Sequence, residues 1–396
     1  MHIVLTGGGT AGHVTPNIAL IKRLQQEGWE IDYIGSLNGI EKELISAIPG
    51  VTYHGVQTGK LRRYLDLKNL SDPFRVIKGC SQARKLIRAL KPDVIFSKGG
   101  FVSVPVVAAH GKVPVVIHES DYTPGLANRI ACRFADTVCV TFQDTMHKVK
   151  VRRVVHTGTP IRPELYEGSA ERGRAFTGFD GQKPVLLIMG GSSGAQRLNE
   201  LVREALPKLT AQFDIIHLCG RGKVDESVSA EGYRQYEYIK DELPDLFAMA
   251  DVVLSRSGAN AIFEFLALAK PALLVPLPLS ASRGDQILNA NYFVKRGYAE
   301  MLDQDGATAD SLYEAVAKLY ENRLSYHARM IQDAMLDGTD EVLREIRAAA
   351  GVPEAEADAA ELEPDEVLAD TTADDVAADA PIDGEDGEDT EETGAE

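Results

Sequence analysis

Short continuous apolar runs alternate along most of the chain with longer stretches whose apolar positions recur at helical spacing. HIVLT (2–6), IDYIG (31–35), DVIFS (93–97), VPVVIHE (113–119), ADTVCVT (135–141) and VVHTGTP (154–160) read as strands, and 16–27 reads as the first helix. A strand that is apolar at nearly every position has no side left for water. Its sheet must be covered on both faces, as in parallel α/β proteins. At PVLLIMGG (184–191) the series restarts, followed by DIIHLCG (214–220), YEYI (236–239), DVVLSRSG (251–258) and ALLVPLP (272–278). Two such series predict two doubly wound Rossmann-like domains in tandem, 1–161 and 162–324, joined where Pro, Gly and charged residues crowd at 162–183. A final helical stretch, 308–350, closes the body, and its last part, 325–350, is a candidate to cross back onto the first domain.

Composition changes this picture in one place. The 396 residues carry a formal net charge of −17, yet 19 Asp and Glu with no Lys or Arg fall in 352–396. Residues 1–160 hold 21 basic against 12 acidic side chains, so the first half is basic and the acidity belongs mainly to the tail. That tail is Ala, Asp, Glu and Pro. It cannot bury enough apolar surface to offset its ordering entropy, and it reads as disordered. Cys80, Cys132, Cys139 and Cys219 show no paired spacing and read as reduced thiols of a cytosolic protein. No signal peptide is visible, and no apolar run approaches the roughly 18 residues of a membrane span. A soluble protein, or one resting on a membrane surface, is expected.

Chemistry concentrates behind the strands. Gly7-Gly8-Gly9-Thr10-Ala11-Gly12-His13 fits the dinucleotide fingerprint, in which glycines admit a phosphate and the following helix N-terminus supplies amides and a positive dipole end. An NAD site also wants an acid at the end of the second strand, and IDYIGS ends in Gly35 and Ser36. A dehydrogenase is therefore disfavoured. Met189-Gly190-Gly191-Ser192-Ser193-Gly194 repeats the construction at the start of domain two, so a diphosphate spanning both domains is the natural occupant. In RSGANAIFE (256–264), Ser257 is a plausible N-cap, and Glu264 would face inward among apolar neighbours, where a carboxylate can accept both hydroxyls of a ribose. Gln286 and Asn289 lie three apart on the helix expected after the loop 280–284.

Together these motifs resemble the MurG family, the bacterial transferases that move N-acetylglucosamine from UDP to a lipid-linked cell-wall precursor. The landmarks are GGGTAGHVTPNIAL, SKGGFVSVPVVAA, HESDYTPGLANR, GTPIRPEL, GGSSGAQRLNE, SRSGANAIFE and RGDQILNA, seven in order between residues 7 and 290, and the resemblance covers roughly residues 1–350. The resemblance implies a GT-B fold, two Rossmann-like domains facing across a cleft, and inverting transfer with no required metal or cofactor, although divalent cations could stimulate it. It implies that Glu264 binds the ribose, the Ile239 backbone reads uracil, and Ser192 with Arg162 faces the diphosphate. Ala259, Asn260, Ala261 and Ile262 would line the nucleotide, Gln286 would contact the donor sugar, Asp121 would touch the sugar or acceptor, and Asn289 would be a further substrate-binding residue. On domain one, Thr10, Ala11 and Gly12 would sit at a diphosphate, and either His13 or Glu119 would be the base. The implied partners are UDP-N-acetylglucosamine, a lipid-linked acceptor and an anionic membrane surface on the cytoplasmic side, with no nucleic acid.

Four positions depart from the family pattern: Ala11, Asp121, Thr159 and Asp285. A carboxylate at Asp121 or Asp285 would repel a diphosphate unless it meets a hydroxyl or cation. These changes bear on the acceptor more than on the donor, and a related transferase acting on another lipid such as diacylglycerol is the alternative, followed by a silent nucleotide-sugar-binding protein. GKLRRY (59–64) and LSDPFRVIK (70–78) mix basic and apolar residues in the basic half, the composition of a segment that touches an anionic leaflet.

Overall fold

A computed structural model describes residues 1–59, 68–191, 195–332 and 337–353, the stretch 68–73 by its backbone alone. The acidic tail beyond 353, the segment 60–64 and Ser192 thus lie outside the described residues. Domain one runs β1 (His2–Thr6), α1 (Thr15–Gln26), β2 (Glu30–Ser36), α2 (Ile40–Ser46), β3 (Val51–Val56), α3 (Lys68–Leu90), β4 (Val94–Ser97), α4 (Ser103–Ala108), β5 (Val115–Glu119), α5 (Leu126–Ala131), β6 (Thr137–Val140) and β7 (Arg153–His156). Domain two runs α6 (Ala170–Thr177), β8 (Val185–Met189), α7 (Gln196–Gln212), β9 (Asp214–Leu218), β10 (Tyr233–Tyr236), α8 (Leu243–Met249), β11 (Val252–Ser255), α9 (Ala259–Ala267), β12 (Ala272–Leu274), α10 (Asp285–Arg296) and β13 (Ala299–Met301), then α11 (Ala309–Glu321) and α12 (Arg323–Ile331). A last helix, α13, spans Thr339–Ala349.

Among the described residues the first sheet has the order β3-β2-β1-β4-β5-β6-β7 and the second β10-β9-β8-β11-β12-β13, with parallel pairing throughout. Each strand order reverses once, between β1 and β4 and between β8 and β11. Ligands of open α/β sheets bind beyond the strand ends at such a reversal. Both faces of both sheets carry an apolar layer, which is why β1, β5 and β8 are apolar almost throughout. Helix ends follow local chemistry. Pro16 opens α1, the Ser169 hydroxyl accepts from the Arg172 amide to cap α6, and Thr308 and Ser311 form a capping box at α11.

Three expectations needed correction. Two strands were not anticipated, β3 and β13, because both are edge strands with half-exposed positions rather than apolar runs. The strand expected at 236–239 lies three residues earlier, as β10. The expected single helix at 308–350 is at least three, α11 to α13.

The chain passes from β7 to domain two through 157–162 and returns at α13. Val342, Leu343 and Ile346 pack with Ile3, Leu5 and Leu20 of domain one. Around them Arg347 pairs with Glu27 at 2.7 Å and Arg153 grips Glu345 at 2.6 and 2.8 Å. The carbonyl of Thr159 accepts from the Gly338 amide at 3.0 Å, which ties the outgoing linker to the returning helix. Domain one is therefore closed by the C-terminal end of the described chain.

Candidate active site

The loops after β1 and β4 flank the first reversal, and those after β8 and β11 flank the second. In domain one they are packed hard. Glu41 on α2 is fully buried behind the glycine loop, accepting from the Gly9 and Ser36 amides, each at 3.1 Å, and from the Ser36 hydroxyl. A carboxylate already holds the Gly9 amide, so that side of the loop is closed to a phosphate. A Cβ on Gly8 would lie 2.5 Å from the Glu41 carboxyl carbon, and one on Gly100 would overlap the Gly8 carbonyl oxygen. The loop needs glycine because side chain and backbone fill the space around it.

His13 ends a short 3-10 turn, Ala11–His13, with Nδ1 2.8 Å from the Thr10 hydroxyl. Desolvation pushes its pKa down to about 4, the nearby Lys98 and Arg283 charges add to this, and Glu41 opposes them. The imidazole is neutral at pH 7. With the proton on Nδ1 toward Thr10, Nε2 is left as the basic atom. Thr10 and Gly12 are exposed and Ala11 is half-buried beside them.

Glu119, at the end of β5, differs from His13. Its Oε1 accepts from the Asp121 amide at 2.9 Å, and its Oε2 from the Gly125 amide at 3.0 Å and the Asn128 side chain at 2.9 Å. Burial, with Asp121 next to it, raises its pKa, and these three donors pull against the rise. With both oxygens engaged and only 5% of its surface exposed, the carboxylate organises the 120–125 turn.

In domain two, Arg162 from the linker meets Glu264 on α9 through two contacts, 3.1 and 3.2 Å. The helix starts at Gly258, with no side-chain cap. Ser257, expected as the N-cap, instead donates to the Gln286 carbonyl at 2.8 Å, holding the start of α10 against the β11 loop. Ala259 and Ile262 are buried, while Asn260 and Ala261 are half-buried in the first turn. Ile239 is buried just beyond β10. The Gln286 side-chain oxygen accepts from the Leu277 amide at 3.0 Å, fixing the loop after β12.

The domains meet through polar and aromatic contacts. Asn260 donates to the Gly12 carbonyl at 2.6 Å. Asn289, fully buried, accepts from the Tyr122 amide at 3.0 Å and donates to Asp121 at 3.1 Å and to the Ser257 carbonyl at 3.2 Å. Its amide is taken up by protein. Phe142 of domain one stands edge-on to Phe263 and Tyr292, with centroids 5.1 and 4.9 Å away. The two unexpected carboxylates share a cation: Arg283 lies 3.9 Å from Asp121 and 3.5 Å from Asp285.

The structure thus gathers Thr10, Ala11, Gly12, His13, Glu119, Asp121, Arg162, Asn260, Glu264 and Asn289 around the facing strand ends; Ser192 is outside the described residues. Sequence reasoning missed Glu41, Arg283 and Lys98. Lys98 carried a usable signal, a charged residue directly after an apolar strand and before two glycines. Away from the cleft, His2, Glu30 and Asp32 cluster at the opposite end of the sheet, where His2 and His54 hold Asp32 at 2.6 and 2.5 Å.

Two reversed Rossmann-like sheets facing each other, with a neutral imidazole on one side and a buried glutamate paired with a half-buried arginine on the other, have the architecture of nucleotide-sugar glycosyltransferases. The comparisons narrow the class. Residues 3–140 match the glycosyltransferase family 28 N-terminal domain and residues 185–342 the family 28 C-terminal domain. A Geobacillus thermodenitrificans protein named UDP-N-acetylglucosamine--N-acetylmuramyl-(pentapeptide) pyrophosphoryl-undecaprenol N-acetylglucosamine transferase is 57% identical over 338 residues, 85% of this chain and 95% of its own length. The protein of the same name from Lachnoclostridium phytofermentans is 54% identical over 344 residues, 86% of this chain and 97% of its own. The crystal structure of Acinetobacter baumannii MurG superposes with a TM-score of 0.70 at 26% identity, covering 88% of this chain and 99% of that one. The kitacinnamycin glycosyltransferase, at 19% identity and a TM-score of 0.65, shares the fold. The chain belongs to glycosyltransferase family 28, and within it to the MurG family.

Proposed function

We propose that this protein transfers N-acetylglucosamine from UDP-N-acetylglucosamine to undecaprenyl-pyrophosphoryl-N-acetylmuramyl-pentapeptide in peptidoglycan synthesis, inverting the anomeric centre. The observation that carries the reading is the 52–57% identity to transferases of that name across 82–87% of the chain. The site chemistry agrees with it. Neutral His13, with Nε2 basic, takes the proton of the acceptor hydroxyl as it attacks the anomeric carbon. Binding of anionic substrates raises the pKa of this weak base toward the working range. Glu119 positions the 120–125 turn and is not the base.

Domain two takes the donor. On nucleotide binding the Arg162–Glu264 pair separates: Glu264 receives the ribose hydroxyls and Arg162 turns to the diphosphate, where it stabilises the leaving UDP with Ser192. The Ile239 backbone reads uracil, residues 259–262 line the nucleotide, and Gln286 faces the donor sugar. Thr10, Ala11 and Gly12 present the acceptor diphosphate to His13. Arg283 neutralises Asp121 and Asp285, so these two departures leave the acceptor class intact.

A lipid-linked acceptor calls for contact with a membrane. No described helix is long and apolar enough to cross one. On α3, Phe74 and Ile77 are 75% and 67% exposed one helical turn apart, beside Arg75 and Lys78. That pattern suits peripheral binding to an anionic cytoplasmic leaflet. The central test is UDP release by purified protein given UDP-N-acetylglucosamine and a soluble analogue of the diphosphate-linked acceptor. Release that requires this analogue supports the reading. Release with diacylglycerol in its place overturns it.

A further inference from the structure

Lys98 is 1% exposed, directly after β4, with its Cβ 3.2 Å from where a Cβ on Gly7 would stand. Its Nζ lies 2.6 Å from His118 Nδ1 and 2.5 Å from the Ser120 hydroxyl. His118 is itself fully buried and donates through Nε2 to the Gly158 carbonyl at 2.8 Å, so its Nδ1 is the accepting lone pair. Both partners of the ammonium are therefore neutral. Among the described residues no carboxylate forms an ion pair with it. A buried ammonium whose direct contacts are neutral is costly; the Glu119 and Asp121 carboxylates nearby offset part of that cost, and an anion in contact with the pair offsets more.

Ser120 supplies the route to the surface. It is half-buried at the end of β5, on the strand edge that also carries the loops after β1 and β4. Because its oxygen accepts from Lys98, its own hydroxyl proton is free to be donated outward. We propose that Lys98 and Ser120 form an anion-binding pair in domain one, in which the buried ammonium polarises the Ser120 hydroxyl to receive the acceptor's diphosphate. This rests on the reading that domain one takes the acceptor.

Burial pushes the Lys98 pKa down to about 7, while Glu119, Asp121 and Cys139 pull it back up. Those three, with His118 on β5 and His13 beyond Gly7, are the titratable groups facing it, and Arg283 stands behind Asp121. A diphosphate diester does not titrate near neutrality, so a change in its binding there belongs to the protein. Below pH 7 the lysine is charged and holds the anion. Above it the charge is lost unless the bound anion retains the proton, so the acceptor KM rises with pH.

Steady-state kinetics from pH 6 to pH 9 with the soluble acceptor analogue test this. In the unmodified protein the acceptor KM is expected to climb above pH 7, while the donor KM stays level. Ser120→Ala is expected to raise the acceptor KM about tenfold or more at pH 6.5 and leave the donor KM unchanged. Lys98→Met is expected to give a high acceptor KM that no longer responds to pH. Should that variant fail to fold, Ser120→Ala decides alone. An acceptor KM within twofold of the parent in Ser120→Ala overturns the pair, and a rise confined to the donor KM reassigns it to the nucleotide. Calorimetry with inorganic pyrophosphate, under saturating UDP, separates this pair from the wider reading because it needs no turnover. Weaker binding by about tenfold in Ser120→Ala supports the pair, and equal affinity refutes it.

Discussion

The glycine-bearing loops at the two strand-order reversals share one sequence plan, and their described glycines have opposite surroundings. An added Cβ on Gly8 or Gly100 strikes Glu41 or the neighbouring loop, whereas one on Gly191 or Gly258 meets nothing within 4 Å among the described residues. Behind the first loop sit Glu41, Lys98, His118 and Glu119, all buried. Across the cleft Glu264 on α9 is buried and pairs with the half-buried Arg162 of the linker, while the buried Arg256 donates to the Val275 and Pro276 carbonyls and Gln304. Glycine in domain one lets protein pack against protein, so the imidazole and the loop amides are set before a substrate arrives. Gly191 and Gly258 leave room at the strand ends of domain two. A glycine-rich fingerprint therefore does not by itself say whether the loop makes space for a ligand or for its own scaffold.

The largest expected break in this comparison is chemical. If domain one is the prebuilt half, His13→Ala lowers turnover by about two or more orders of magnitude while the donor KM holds steady. The pH dependence has a definite sign. The imidazole must be unprotonated and its pKa is pushed down to about 4, so the acid limb of kcat/KM in the free enzyme lies well below the ordinary histidine value. An acid limb near 6.5, absent in His13→Ala, would mean that the packing around the ring does not depress it.

Next in size is a paired test of the loops. Gly100 has φ +81° and an added methyl would overlap the Gly8 carbonyl. Gly100→Ala is expected to lose at least about 2 kcal/mol of stability in urea unfolding. Gly258 has φ −67°, and a Cβ there meets nothing within 4 Å among the described residues. Gly258→Ala should stay within about 0.5 kcal/mol of the parent in the same measurement, yet raise the donor KM because its methyl enters the space reserved for the nucleotide. Equal losses of stability in both variants would erase the distinction between packed and open loops.

The same contrast explains what could be read in the sequence. Strands buried on both faces, such as β1, β5 and β8, announce themselves as apolar runs. Edge strands β3 and β13 do not, because solvent takes one side of them and leaves only short, mixed patterns. His13, Glu264 and Gln286 lie inside ordered motifs, which is why the sequence singles them out as candidates. Glu41 was invisible: IEKELIS reads as an exposed amphipathic helix, and its full burial arises from Ser36, Gly9 and Tyr53 converging from other elements. Arg283 was missed for the same reason, since its value lies in Asp121, which is 162 positions away. Pairwise electrostatics across a fold leave no local periodicity to detect.

The smallest effect concerns the seam between the halves. Asn260 stands on the open side and donates to the Gly12 carbonyl of the packed side, while its own Oδ1 is buried without a partner among the described residues. Asn260→Ala removes one hydrogen bond together with that unsatisfied oxygen. The two losses partly offset, so a change in stability of about 0.5 kcal/mol and less than about a threefold fall in kcat/KM are expected. Asn260→Asp should do more harm, because a carboxylate then faces a carbonyl where an amide had donated. Urea unfolding and kcat/KM measured on both variants order them. If Asn260→Ala fell as far as His13→Ala, the packed loop would depend on domain two for its geometry, and prebuilt would describe the closed pair of domains rather than domain one alone.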